Sequence, residues 1–160
     1  MTDKQFTLAD IDWAANECLR QRTGPIEVVH LCRALDYLRC MVNITGEPIV
    51  KPTLDLVVTL GKLIEPQQNA RGIRTLPIQI KGFTNHPVDL PHRVEHLGSH
   101  YFNTPDMTAD EWYFRFEVIH PFNDGNGRVG SLIWNMLNFS LDDLRVPPQF
   151  SALYERYHDS

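Results

Sequence analysis

One stretch constrains this chain more than any other: His120-Pro121-Phe122-Asn123-Asp124-Gly125-Asn126-Gly127-Arg128. It puts an imidazole, a carboxylate, an amide and a guanidinium into nine residues, with two glycines spacing them. A helical pattern precedes it, Asp110 to Ile119. Another follows, Val129 to Phe139, apolar at Val129, Ile133, Met136 and Leu137. The polar nonamer is therefore expected in a tight turn between two helices, where it opens the second. A helix start presents unpaired backbone N–H groups and the positive end of the macrodipole, which suits phosphate oxygens. Glycines there allow positive φ and close approach of a ligand to the backbone. A base, a metal-binding type of carboxylate and a phosphate cradle side by side point to chemistry on a nucleotide.

The rest of the chain reads as helices around this turn. Thr7 to Thr23 carries an apolar stripe through Leu8, Ile11, Ala14, Ala15, Cys18 and Leu19, and Gly24-Pro25 ends it. Ile26 to Val42 repeats the pattern. Pro52 to Ile64 is a third helix, with Pro52 in its first turn and Pro66 as a stop. The character changes at Gln67, and Ile73 to Ile80 then alternates apolar with polar residues. Turn chemistry at Lys81-Gly82 follows, so 72–87 is expected to be a short β-hairpin lying on the helical body. Its open edge suits pairing with an incoming peptide. Pro91 to Tyr101 is helical again, and Asp106 or Thr108 caps the aromatic helix before His120. Pro147-Pro148 breaks the chain, and Gln149 to Tyr157 forms a last short helix. The fold class is all-α with one β-flap.

Composition sets bounds. At 160 residues, 42% apolar and 22% charged, the chain suits one globular domain spanning 1–160. A net charge of −5 argues against a nucleic-acid or anionic-membrane footprint. Cys18, Cys32 and Cys40 form no CxxC pair and an odd count, so buried thiols in a reducing compartment are expected. The start, MTDKQFTLAD, has no apolar signal region, and no run approaches spanning length. A cytoplasmic protein without membrane contact is the expectation.

The nonamer resembles the Fic/Doc signature, HxFx(D/E)GNGRxxR, at every fixed position from His120 through Arg128. Phe116-Glu117-Val118-Ile119 looks like the family's usual entry into the motif, and Gly72 to Gly82 looks like its flap. The resemblance covers roughly residues 26–145, with the flap at about 72–87 and the catalytic loop at 120–128. It implies a Fic-type helical domain that transfers AMP from Mg-ATP to a Ser, Thr or Tyr hydroxyl of a target protein. Under it, His120 is the general base, a role suited to an imidazole whose ordinary pKa is about 6.5. Asp124 holds Mg²⁺, or caps the following helix, or does both. Gly125, Asn126 and Gly127 form the anion hole, with the Asn126 amide on the α-phosphate, and Arg128 pairs with the β-phosphate. Phe122 anchors the loop. Ile78, Gln79, Ile80, Lys81 and Gly82 dock the target by strand addition.

Alternatives within the resemblance remain open. The Doc branch phosphorylates its target, but carries Lys where this chain has Gly127, so nucleotidyl transfer is favoured. The family's second arginine falls at Ser131 here, which brings no charge to the terminal phosphate. ATP would then be held by another group, or another nucleotide preferred, or the fold would bind a nucleotide or partner without turnover. The inhibitory pattern (S/T)xxxE(G/N) has no full match: Ser151 to Glu155 fits, and Arg156 departs. Restraint of a toxin-like activity is expected to be absent or to come in trans, from an antitoxin. Separately, His92, His96 and His100 share a helical face. Two adjacent ones have the i, i+4 spacing of a transition-metal pair, but the outer pair lies roughly 12 Å apart along the axis, too far for one ion, and no cysteine cluster accompanies them, so a solvated or partly packed face is expected.

Overall fold

The computed structural model describes residues 6–80 and 82–159. Three threonines set helix starts. Thr7 accepts from Asp10 N–H and closes a capping box on α1 (Leu8–Arg20), Thr53 accepts from Leu56 N–H at α3 (Leu54–Ile64), and Thr108 from Glu111 N–H at α5 (Ala109–Ile119). Between them, α2 (Pro25–Thr45) begins on Pro25 and ends at Gly46, whose left-handed backbone, φ 69°, stops the helix. α4 (Leu90–Asn103), α6 (Asn126–Leu137) and α7 (Phe150–Tyr157) complete the helical set. The expected all-α class with a small β-flap holds among the described residues.

The helices pack in a chain of neighbours: α1 on α2, α2 on α3, α3 on α6 and α4, and α5 on α4, α6 and α7. α6 is the innermost. Every one of its residues except Gly127 is buried, Arg128, Ser131 and Asn135 included. The four-residue apolar stripe expected from Val129 onward understates this, because a helix enclosed by neighbours has no solvent face. α6 also starts earlier, at Asn126, and stops at Leu137, since Phe139 takes φ 58° and is exposed. Leu35, Leu60, Trp112, Phe116, Phe122, Leu132 and Ile133, all nearly or fully inaccessible, form the middle of one hydrophobic core. The aromatic stripe of α5 is part of that core rather than a stacking platform: Trp112 and Phe116 stack at 5.0 Å.

The flap is narrower than expected. Its strands are only β1 (Ile78–Ile80) and β2 (Phe83–Asn85), antiparallel, with Ile78 opposite Asn85 and Ile80 opposite Phe83. Residues 73–77 do not join the ladder because Arg74 ties them to the catalytic loop instead, its N–H donating to Pro121 O at 3.0 Å. Gly82 turns the hairpin at φ 85°. Lys81, expected among the docking residues, lies outside the described residues. Of the cysteines, Cys18 and Cys32 are buried as expected, but Cys40 is exposed, on the outer side of α2.

α1 is held firmly across the core. Arg39 makes two bonds to the Asp10 carboxylate, at 2.9 and 3.0 Å, and reaches Leu141 O, while Trp13 Nε1 donates to Arg145 O. The guanidinium beside Asp10 holds its carboxyl below the usual range. These ties fix where the C-terminal end of α1 lies. Among the described residues, no helix is long and apolar enough to cross a membrane.

Candidate active site

His120 is the C-cap of α5 in left-handed conformation, φ 51°, uncommon for a residue with a Cβ. Three groups overdetermine that backbone. His120 N–H donates to Phe116 O at 2.9 Å, and Arg74 Nε donates to His120 O at 2.7 Å. The ring Nδ1 lies 3.2 Å from Glu117 O, which requires Nδ1 to carry the proton and leaves Nε2 with its lone pair. Burial pushes the His120 pKa below the ordinary histidine value, against a raising influence of the Glu117 carbonyl, while nearby Arg74 lowers it further and Asp124 raises it. The imidazole is thus neutral at pH 7, as a general base requires.

Behind it the loop satisfies its own polar groups. Asn126 is only 2% exposed, and its amide closes on Phe122 in both directions, Oδ1 accepting from Phe122 N–H at 2.8 Å and Nδ2 donating to Phe122 O at 2.9 Å. The amide expected on an α-phosphate is therefore engaged in the loop, since buried backbone groups must find partners. Phe122 is fully buried against Gly61 of α3: a Cβ at Gly61 would sit 2.3 Å from its ring. Only glycine fits there. Asn69, itself fully buried, donates to Asp124 O and to Gly61 O, fixing the peptide that carries Asp124.

Arg128 also departs from the expectation. Its side chain is inaccessible and lies under the loop, with Nη2 2.8 Å from Glu65 Oε1 and 3.5 Å from Asp124 Oδ1. Nε and Nη1 have no hydrogen-bond partner among the described residues. A guanidinium placed there neutralises Glu65 and adds positive potential behind the helix start, but does not line the cleft. One turn on, Ser131 is fully buried, and its hydroxyl has no partner among the described residues.

Open to solvent are the start of α6 and Asp124. Gly125 adopts φ 80° as N-cap, no side chain among the described residues caps α6, and the first-turn N–H groups have no intrahelical acceptor. The Asp124 side chain is half exposed, with Oδ1 accepting from Gly125 N–H at 2.7 Å, so it caps the turn and still faces the cleft. Among the described residues no group of three or more His, Cys, Asp or Glu gathers to hold a metal. A single carboxylate beside a phosphate cradle suits Mg²⁺, which keeps its waters and binds through one or two carboxylates plus phosphates.

These groups line a cleft of about 240 Å³ with side chains that sequence reasoning did not reach: Arg20, Gln21 and Tyr113. Gln21, the C-cap of α1, lies against Gly127, where an added Cβ would be 2.6 Å from its Oε1. No spacing rule links a helix end near residue 20 to a loop a hundred residues later. Arg74 and Asn69 were missed for the same reason. A larger cavity, about 630 Å³, lies between α4, α5 and α7 and includes the His92–His96–His100 face, whose rings stack at 6.1 and 5.8 Å. None of its lining comes from residues 120–128, so the smaller cleft is the candidate active site. Glu155 is exposed on α7, which lines that larger cavity and not the cleft.

No curated protein matches the chain. A family model described as Fic/DOC family matches residues 53–137, a span that begins at the cap of α3, takes in the flap and the loop, and ends with α6. With just over half of the sequence matched, including Arg74, Phe116 and Glu117, which hydrogen-bond His120, the chain belongs to the Fic/DOC family.

Proposed function

We propose that this protein is an enzyme, a Fic-type adenylyltransferase that moves AMP from Mg-ATP to a hydroxyl side chain of a target protein. The observation that carries the reading is His120: a neutral imidazole that carries its proton on Nδ1, held by Arg74 and Glu117 beside the start of α6, which no side chain caps among the described residues. The target hydroxyl loses its proton to His120 Nε2 as its oxygen bonds the α-phosphorus. The bond from that phosphorus to the bridging oxygen of the β-phosphate breaks, and pyrophosphate leaves. The N–H groups of Asn126, Gly127 and Arg128 receive phosphate oxygens, and the Arg128 charge beneath them reinforces that field. Asp124 would hold Mg²⁺, which when bound would offset charge on the phosphates. The free edge of the flap, at Ile78, Gln79 and Ile80, with Gly82 at its turn, registers the target by strand addition. The residues present fit the donor: an anion cradle without a side-chain cap and a half-exposed carboxylate beside it.

The protein is incubated with Mg²⁺, α-labelled ATP and lysate, beside His120→Ala. His120-dependent labelling of a lysate protein, or of the enzyme itself, is the expected result, and its absence counts against the reading. A γ-label reports Doc-type phosphorylation, and a panel of nucleotides other than ATP tests the donor. One observation favours a second reading, binding without turnover: the Gln21 amide lies against Gly127, where a phosphate must approach. Nucleotide binding by calorimetry with no labelled product favours that module. Restraint by a partner in trans stays part of the proposal, tested by co-purification with an inhibitor that blocks labelling.

A further inference from the structure

The cleft has a charge deficit for the ligand proposed above. Its lining holds two carboxylates, Glu117 and Asp124, and a neutral His120. Arg128 is inaccessible and already paired with Glu65, and Ser131 is buried and uncharged. A triphosphate brings three to four negative charges, and one Mg²⁺ leaves roughly half of them to the protein. Among the described lining residues, a single side chain carries a permanent positive charge: Arg20, at the last position of α1.

Arg20 is placed and not merely nearby. α1 is tied across the core through Asp10 to Arg39 and through Trp13 to Arg145 O. At its end, Arg20 Nη2 donates to Glu17 Oε2 at 2.7 Å, and Glu17 is 1% exposed. Tyr113 flanks the guanidinium from α5. The Arg20 side chain is nonetheless 41% exposed. One end of the fork is therefore fixed by a buried carboxylate, the Tyr113 hydroxyl lies beside the guanidinium, and the partly exposed remainder keeps donors for a ligand. Fixing the fork in advance reduces the entropy lost when a ligand is bound.

We infer that Arg20 is the phosphate-binding cation of this site, gripping the terminal phosphates of a nucleoside di- or triphosphate and thereby selecting them over a monophosphate. The inference rests on the nucleotide reading of the cleft. It also accounts for Ser131: a charge absent from α6 is delivered by the end of α1, from outside the span of the family match. Glu17 positions Arg20, and Gln21 beside it must yield as phosphate enters.

The test is a binding titration, by calorimetry for ATP and ADP and by ligand-observed NMR competition for AMP, all with Mg²⁺. Arg20→Ala is expected to weaken ATP and ADP about ten- to hundredfold, the range that one charge-assisted contact commands, with AMP unchanged within about twofold. Arg20→Lys, which keeps charge and loses the fork, falls between. Because Arg20→Ala strands the buried Glu17, the double variant Glu17→Gln/Arg20→Ala is titrated alongside, with a melt of each. Equal ATP affinity in parent and double variant overturns the inference while leaving the nucleotide reading intact. Equal loss of ATP and AMP also overturns it, since that marks a collapsed cleft. A parent protein that binds none of the three overturns the nucleotide reading and this inference together.

Discussion

Arg74→Ala gives the sharpest check on how the loop is held. Arg74 is 3% exposed and donates four side-chain bonds: to His120 O at 2.7 Å, Leu76 O at 2.9 Å, Asn85 O at 3.0 Å and Asn85 Oδ1 at 2.7 Å. Bonds from a charged donor contribute about 1.5–3 kcal/mol each, so the gross loss is about 6–12 kcal/mol. Burial offsets much of this: it pushes the guanidinium below its ordinary value, with Arg93 adding to the effect, and the variant no longer bears that desolvation. The remainder is about 2–4 kcal/mol, larger than most single substitutions. Urea unfolding measures it. Amide exchange then locates it, with faster exchange expected in β1, β2 and at His120, and little change in α1 and α2. A loss under about 1 kcal/mol with flap exchange unchanged would refute the claim that Arg74 joins the flap to the loop. Arg74→Lys should not rescue, because one ammonium cannot reach four acceptors on three segments.

Two further outcomes follow from the same geometry. Gly61→Ala drives a methyl into the Phe122 ring and should destabilise by about 1–3 kcal/mol; adding Phe122→Leu should recover part of it, a coupling that a double-mutant cycle reads directly. The pH dependence of His120 has a definite sign. With its folded pKa lowered beneath 6.5, the unfolded chain binds more protons between the two values, so the group's contribution to stability is complete above pH 6.5 and declines as pH falls through that window. The acid limb of any His120-dependent labelling should likewise have its midpoint below 6.5, and ring NMR titration of His120 checks it independently.

Helix positions were written in local chemistry: Thr7, Thr53 and Thr108 as caps, Pro25 and Gly46 as punctuation, and a 3.6-residue apolar period between them. The nonamer likewise announced its own turn, because glycines and polar residues between two periodic segments leave no other local solution. Its side-chain roles were less legible. Asn126 and Arg128 looked like ligand contacts, yet enclosure of α6 turns the amide onto Phe122 and the guanidinium onto Glu65, and that enclosure depends on α3 closing over the loop. The flap was read too long because alternation cannot reveal that Arg74 leaves the ladder for His120 O.

By itself, then, the sequence determined the helices, the hairpin turn and the placing of a base, a carboxylate and a glycine cradle in one loop, since all of these follow from residues within a few positions of one another. Only the tertiary structure decided which of those groups face solvent. It alone brought Arg20 and Gln21 from the end of α1 to the cleft, and Arg74 and Asn69 to the back of the loop. The physical reason is that burial and charge pairing depend on neighbours in space, and here those neighbours lie some fifty to a hundred residues away along the chain.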